Sequence, residues 1–107
     1  MSTISQDRDI LTLINVFTVE PDRQSELVAL LIDATKQTMQ HLPGFISASI
    51  HRSFDGKKVV NYAQWRSKSH FEAMRQNPKA IPHMQAAAAL AQFDPILCEV
   101  SDVLGIS

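Results

Sequence analysis

Asn61 and Trp65 stand four residues apart in Val59-Val60-Asn61-Tyr62-Ala63-Gln64-Trp65-Arg66, an apolar, aromatic-bearing run that reads as a β-strand. Successive strand residues point to opposite sides, so Val59, Asn61, Ala63 and Trp65 share one face and Val60, Tyr62 and Gln64 the other. At a rise of roughly 3.3 Å per residue the amide and the indole lie about 13 Å apart, close enough to line one small-molecule pocket. Asparagine is a poor strand former, and burying its amide unpaired costs about 1–3 kcal/mol. A partner for Asn61 is therefore expected. A second asparagine, Asn15, interrupts the apolar strand expected over residues 10–19, and the coincidence gives both more weight.

Other chemistries find less support. His51 shares a strand face with Ser47 and Ser49 and could act as a base at a pocket mouth, although a solvated strand histidine is the commoner case. His70 and His83 lie far apart across two prolines, and no His, Cys, Asp or Glu group has metal-ligand spacing. With three glycines there is no phosphate-cradling loop. Arg52 and Arg66 flank the hairpin ends as ordinary surface cations. A formal charge of −1, from 10 basic and 11 acidic residues, offers nothing to neutralise phosphates, so nucleic acid is not an expected partner. The single cysteine, Cys98, can make no internal disulfide and fits a reducing compartment. No apolar run is long enough for a membrane span, and the polar, acidic start lacks a signal peptide's pattern, which together imply a cytoplasmic protein.

The elements that must position these residues follow from periodicity and punctuation. Residues 1–9 read as a flexible tail and 10–107 as a single domain. Pro21 and Asp22 suit a helix start, and Leu27, Leu30, Leu31, Ala34 and Thr38 form one buried stripe that ends near His41, before Leu42-Pro43-Gly44. A strand over 45–53 turns at Asp55-Gly56 into the strand of Asn61, a strong hairpin signal. Ser67 is a good N-cap for a helix carrying Phe71 and Met74, which Asn77-Pro78 breaks. A second helical stretch covers about 81–92, Phe93-Asp94-Pro95 stops it, and 96–104 reads as the last strand.

This order predicts a ferredoxin-like βαββαβ α+β fold with a four-stranded antiparallel sheet in the order 4-1-3-2, placing Asn15 beside the strand of Asn61 and Trp65. Helices cover one face of such a sheet, yet the first strand is apolar on both. Leu11, Leu13, Phe17, Val59 and Trp65 are accordingly expected on a face that a second copy covers, giving a homodimeric α/β barrel with a ligand where the sheets diverge.

The layout, Gly44-Phe45-Ile46-Ser47-Ala48-Ser49-Ile50-His51 followed by Asp55-Gly56, and Asn61-x-x-x-Trp65 before a Ser-capped helix resemble the antibiotic biosynthesis monooxygenase family over about residues 11–103. The resemblance implies a dimeric α/β barrel and a cofactor-independent oxygenase that uses O2 to convert an anthrone, or another polyphenol or quinol, to a quinone. It implies Asn15, Asn61 and Trp65 as catalytic residues on the barrel side of the sheet, with Leu13, Phe17, Ala63, His51 and His70 beside the small aromatic substrate. The substrate's carbanion would itself reduce O2, leaving the protein to orient it, desolvate it and aim donors at developing charge. Some relatives carry a tyrosine shortly after the tryptophan, where this chain has His70-Phe71. Two alternatives are a non-catalytic ligand-binding barrel and a haem-degrading enzyme, the latter requiring His70 or His83 as an axial ligand.

Overall fold

The computed structural model describes residues 9–105, so the tail expected at 1–9 lies, apart from Asp9, outside the described residues. β1 (Leu11–Thr18), β2 (Phe45–Arg52), β3 (Lys58–Trp65) and β4 (Gln92–Cys98) form one antiparallel sheet in the order β2-β3-β1-β4. This is the strand order predicted for a ferredoxin-like α+β fold. Between the strands run α1 (Gln24–Gln37), α2 (Lys68–Gln76) and α3 (Ile81–Leu90).

The punctuation acts largely as read. A short 3-10 turn at Pro21–Arg23 precedes α1, and a second at Met39–His41 finishes it. Ser67 caps α2 by accepting the His70 N–H, and Asn77-Pro78 separates α2 from α3. The hairpin turns through Gly56 at φ +80°, where a residue without Cβ is at ease. Gln24 is buried and ties α1 to that hairpin, its side-chain amide donating to the carbonyls of Ser53 and Lys58 at 3.0 Å each.

Two boundaries differ from expectation. The last strand starts at Gln92 and ends at Cys98, earlier than the 96–104 read from the sequence. Pro95 does not stop the strand, because β4 is an edge strand, where a missing N–H is tolerated. α3 ends at Leu90, two residues early, because Ala91 has already taken extended backbone.

The larger correction concerns which face is covered. Leu11, Leu13, Phe17, Val59 and Trp65 are buried within a single chain, beneath the helices and not on an open face awaiting a second copy. Both faces of β1 are apolar, so alternation divides its residues into two sets without saying which set meets the helices. The core forms two clusters along that face. Leu11, Leu13, Ala63 and Trp65 meet Phe71, Met74 and Ala80 at one end, while Phe17 and Val59 meet Leu27, Val28, Leu31 and Ala87 at the other. The opposite face carries the register row Ile96–Ile14–Tyr62–Ser49, together with the buried pair Thr12 and Gln64, whose amide donates to the threonine hydroxyl at 3.0 Å.

Candidate active site

Strand register brings the two asparagines together. Asn15 lies directly opposite Asn61 across β1 and β3, with Pro95 on the outer side of Asn15 and Ile50 on the outer side of Asn61. The pair sits between the two core clusters, where the helices present small side chains: Ala34 and Thr35 from α1, Ala87 from α3. Small residues above and short amides below leave a gap, a cavity of about 420 Å3 between sheet and helices. Phe93, Pro95 and Leu97 of β4 line it yet stay exposed, so it opens toward that edge of the sheet.

The lining is aromatic. Of the chain's five phenylalanines, one tyrosine and one tryptophan, Phe17, Phe45, Phe71, Phe93 and Trp65 wall the cavity. Phe45 meets Trp65 edge-on, with centroids 5.4 Å apart and planes at 88°, which holds the indole in one orientation. Trp65 is 2% exposed, and no hydrogen bond engages its indole N–H among the described residues. The amide oxygens of Asn15 and Asn61 are buried without a partner. Two unmet acceptors in one row are costly in a folded chain, at about 1–3 kcal/mol each, so the pair is not placed there for stability.

Asn15, Asn61, Trp65, Leu13, Phe17 and Ala63 therefore come together, as expected, although in the cavity under the helices and not between two sheets. His51 and His70 do not join them. His51 points from the opposite face, near the exposed end of β2 where it pairs with Val60. His70 Nδ1 bonds Ser67 Oγ at 2.8 Å and its ring packs over Gly44, the consequence of its place in the first turn of α2. Two ionisable side chains in the wall escaped the reading as a pocket pair: Arg75 and His83. Arg75 stands one helical turn after Phe71, over whose ring its guanidinium lies at 5.9 Å, and pairs with Glu72 at 3.3 Å. Its i, i+4 relation to Phe71 was the available signal. His83 Nε2 lies 3.0 Å from the hydroxyl of Thr38.

A largely apolar chamber lined by a few polar side chains, within one ferredoxin-like sandwich, is the kind of site that takes a small organic ligand. The family model described as antibiotic biosynthesis monooxygenase matches residues 10–90. Tetracenomycin-F1 monooxygenase of Streptomyces glaucescens is 46% identical over 105 residues, 98% of this chain and 94% of that protein. A monooxygenase from Streptomyces coelicolor, ActVA-Orf6, solved in complex with nanaomycin D, superposes with a TM-score of 0.84 at 27% identity, covering 94% of this chain and 95% of that one. A variant of SnoaB, a cofactor-independent oxygenase from Streptomyces nogalater, gives 0.82 at 25% identity over 90% of this chain and 97% of that one. The chain belongs to the antibiotic biosynthesis monooxygenase family. By that membership it is a monooxygenase; cofactor independence is a property of SnoaB, which it resembles.

Proposed function

We propose that the protein oxidises the central methylene of a hydroxylated, fused-ring anthrone to the quinone carbonyl, with O2 as co-substrate. One observation carries this reading: an aromatic-walled chamber whose floor holds two buried amide oxygens lacking donors. Phenolic hydroxyls flanking an anthrone carbonyl are donors of that kind, and flat rings suit walls of Phe17, Phe45, Phe71 and Phe93. At about 420 Å3 the cavity falls within the ordinary range for small-ligand sites, roughly 300–1,000 Å3. Two relatives, a tetracenomycin-F1 monooxygenase and a monooxygenase solved with nanaomycin D, support the same substrate class.

In this reading Asn15 and Asn61 fix the ring system by its oxygens. As the reacting carbon loses a proton and charge spreads onto those oxygens, rotation of an amide offers N–H in place of C=O, and the Trp65 N–H is free to bond the oxygen-derived group. The dry walls strengthen each of these bonds.

The face turned away from the helices supports a second copy of the chain as partner. Its row of Ile96, Ile14 and Tyr62 is apolar across three strands, and an isologous sheet-on-sheet contact would cover it. The cavity is enclosed by one chain, so pairing would act on stability more than on chemistry. Among the described residues no helix is long and apolar enough to cross a membrane, and a cytoplasmic setting belongs to this proposal.

Oxygen uptake with dithranol tests the function. Consumption faster than spontaneous autoxidation, with appearance of the quinone spectrum, is the expected result; a rate equal to the enzyme-free control would remove it.

A further inference from the structure

Oxidation at a methylene begins with loss of a proton, and neither amides nor an indole accept one at neutral pH. Among the described residues the cavity wall contains no carboxylate, and of its two ionisable side chains the guanidinium of Arg75 has no lone pair to take a proton. We propose that His83 is the base that removes the proton from the reacting carbon, held in position by its hydrogen bond with Thr38. This inference rests on the anthrone reading of the cavity.

Three features carry it. His83 and its neighbour Met84 enter the cavity from α3, and Met84 packs against the cluster of Trp65 and Phe71. Ala87, one turn on, packs against Phe17 and Val59, so α3 spans the same gap whose floor holds the asparagine pair. A bound ring system is thereby touched by amides from the sheet and by an imidazole from the helical layer. Thr38, in contrast, lies behind the wall. It is 9% exposed, sits at the C-cap of α1 with its N–H bonded to the Ala34 carbonyl, and meets His83 Nε2 at 3.0 Å. Lastly, no group among the described residues bonds His83 Nδ1, and that nitrogen is not sealed from solvent. With the Nε2 proton donated to Thr38 Oγ1, the Nδ1 lone pair is left free for the substrate.

The steps balance. Nδ1 takes one methylene proton, leaving the electron pair on the carbon as a delocalised carbanion. One electron passes to O2, and the carbon radical and superoxide combine to form the C–O bond of a peroxide anion. The imidazolium returns its proton to the terminal oxygen. Neutral His83 then takes the remaining C–H proton while the O–O bond breaks, and the departing hydroxide receives that proton as water. The carbon has lost four electrons to O2, and the products are one carbonyl and one water.

The experiment separates proton removal from oxygen chemistry. Wild-type protein with dithranol in anaerobic D2O is expected to accelerate deuterium incorporation at the methylene, read by NMR. His83→Gln is expected to lose that acceleration and about 100-fold in aerobic kcat, with KM changed by less than about threefold. His83→Ala is expected to regain turnover with added imidazole. Thr38→Val should lower kcat about tenfold while Thr38→Ser keeps it, a contrast that packing alone would not produce. Exchange and turnover by His83→Gln at the wild-type rate would overturn this assignment and leave the anthrone reading standing. Should His83→Gln fail to fold, absence of imidazole rescue in His83→Ala together with an active Thr38→Val would overturn it equally. A wild type that neither exchanges nor oxidises dithranol overturns both.

Discussion

Asn15 and Asn61 face each other across the two central strands, and each keeps its amide oxygen buried with no partner. A chain selected for stability alone would place apolar side chains there. Asn61→Leu, close in volume, is expected to raise unfolding stability by about 1 kcal/mol, because an unmet acceptor is replaced by packed methyl groups. The same change should lower oxygen consumption at least tenfold. Thermal unfolding and uptake measured on one preparation check both, and a variant that lost stability would show that the amide is satisfied after all.

Trp65 has separable packing and polar roles. Its rings are held by Phe45 and almost wholly buried, whereas its N–H bonds nothing among the described residues. Trp65→Phe keeps an aromatic ring against Phe45 and is expected to cost about 1–2 kcal/mol in stability. Loss of the donor should reduce kcat by about 10- to 100-fold with little change in KM. Proportional losses in KM and stability, with kcat intact, would make the residue a wall and nothing more.

Period-two alternation was enough to put Asn61, Ala63 and Trp65 on one side of β3, and the strand order then set Asn15 beside them. Alternation could not say which side met the helices, since Ile14 and Val16 are as apolar as Leu13 and Phe17. Burial under α1 and α3 is a tertiary fact, decided by Leu27, Val28, Leu31 and Ala87 meeting one set and not the other. Pro95 misled because its effect depends on β4 being an edge, which only the assembled sheet shows. His83 stood in an alanine-rich helix with no local sign of its partner Thr38, a residue that the stripe counted simply as core.

The β2–β3 turn contains a pH-sensitive contact. Asp55 accepts from the Ser53 hydroxyl at 2.6 Å and from the Lys57 N–H at 3.0 Å, and these bonds, the serine's foremost, hold its carboxyl below the usual aspartate range. A lowered folded pKa means that the ionised form stabilises the fold; the contribution is present at neutral pH and disappears as pH falls through that lowered value, below about pH 4. Melting temperature should therefore fall more steeply below about pH 4 in the wild type than in Asp55→Asn. Parallel curves for the two would show that the turn contributes nothing to acid sensitivity.

Ile14 is the centre of the apolar row facing away from the helices, flanked in register by Ile96 and Tyr62. If a second copy covers this row, Ile14→Arg buries an unpaired charge at the contact and weakens association by several kcal/mol. Sedimentation at micromolar concentration is expected to show a dimer for the wild type and a monomer for Ile14→Arg, whose cavity residues all lie on the other face. A wild-type monomer would leave the row without this explanation.

His70 packs over Gly44 and bonds Ser67 beside the candidate site. Gly44 has φ +83°, and a Cβ built there would overlap the His70 ring, while the ring nitrogen is engaged by Ser67 and the Arg66 N–H bonds the Gly44 carbonyl at 2.7 Å. The loop before β2 and the start of α2 are thus locked together at the end of the sheet where Trp65 sits. Gly44→Ala combines left-handed backbone with a clash, and is expected to destabilise by about 2 kcal/mol or more. His70→Asn removes packing over a glycine that remains, so its cost should be smaller, about 1 kcal/mol, and at a temperature where it is folded its kcat should match the wild type. Measured together, unfolding and turnover decide the point: a fall in kcat at unchanged stability would return His70 to the chemistry, whereas the reverse pattern makes it the clamp that keeps α2, and with it Phe71 and Arg75, against the cavity.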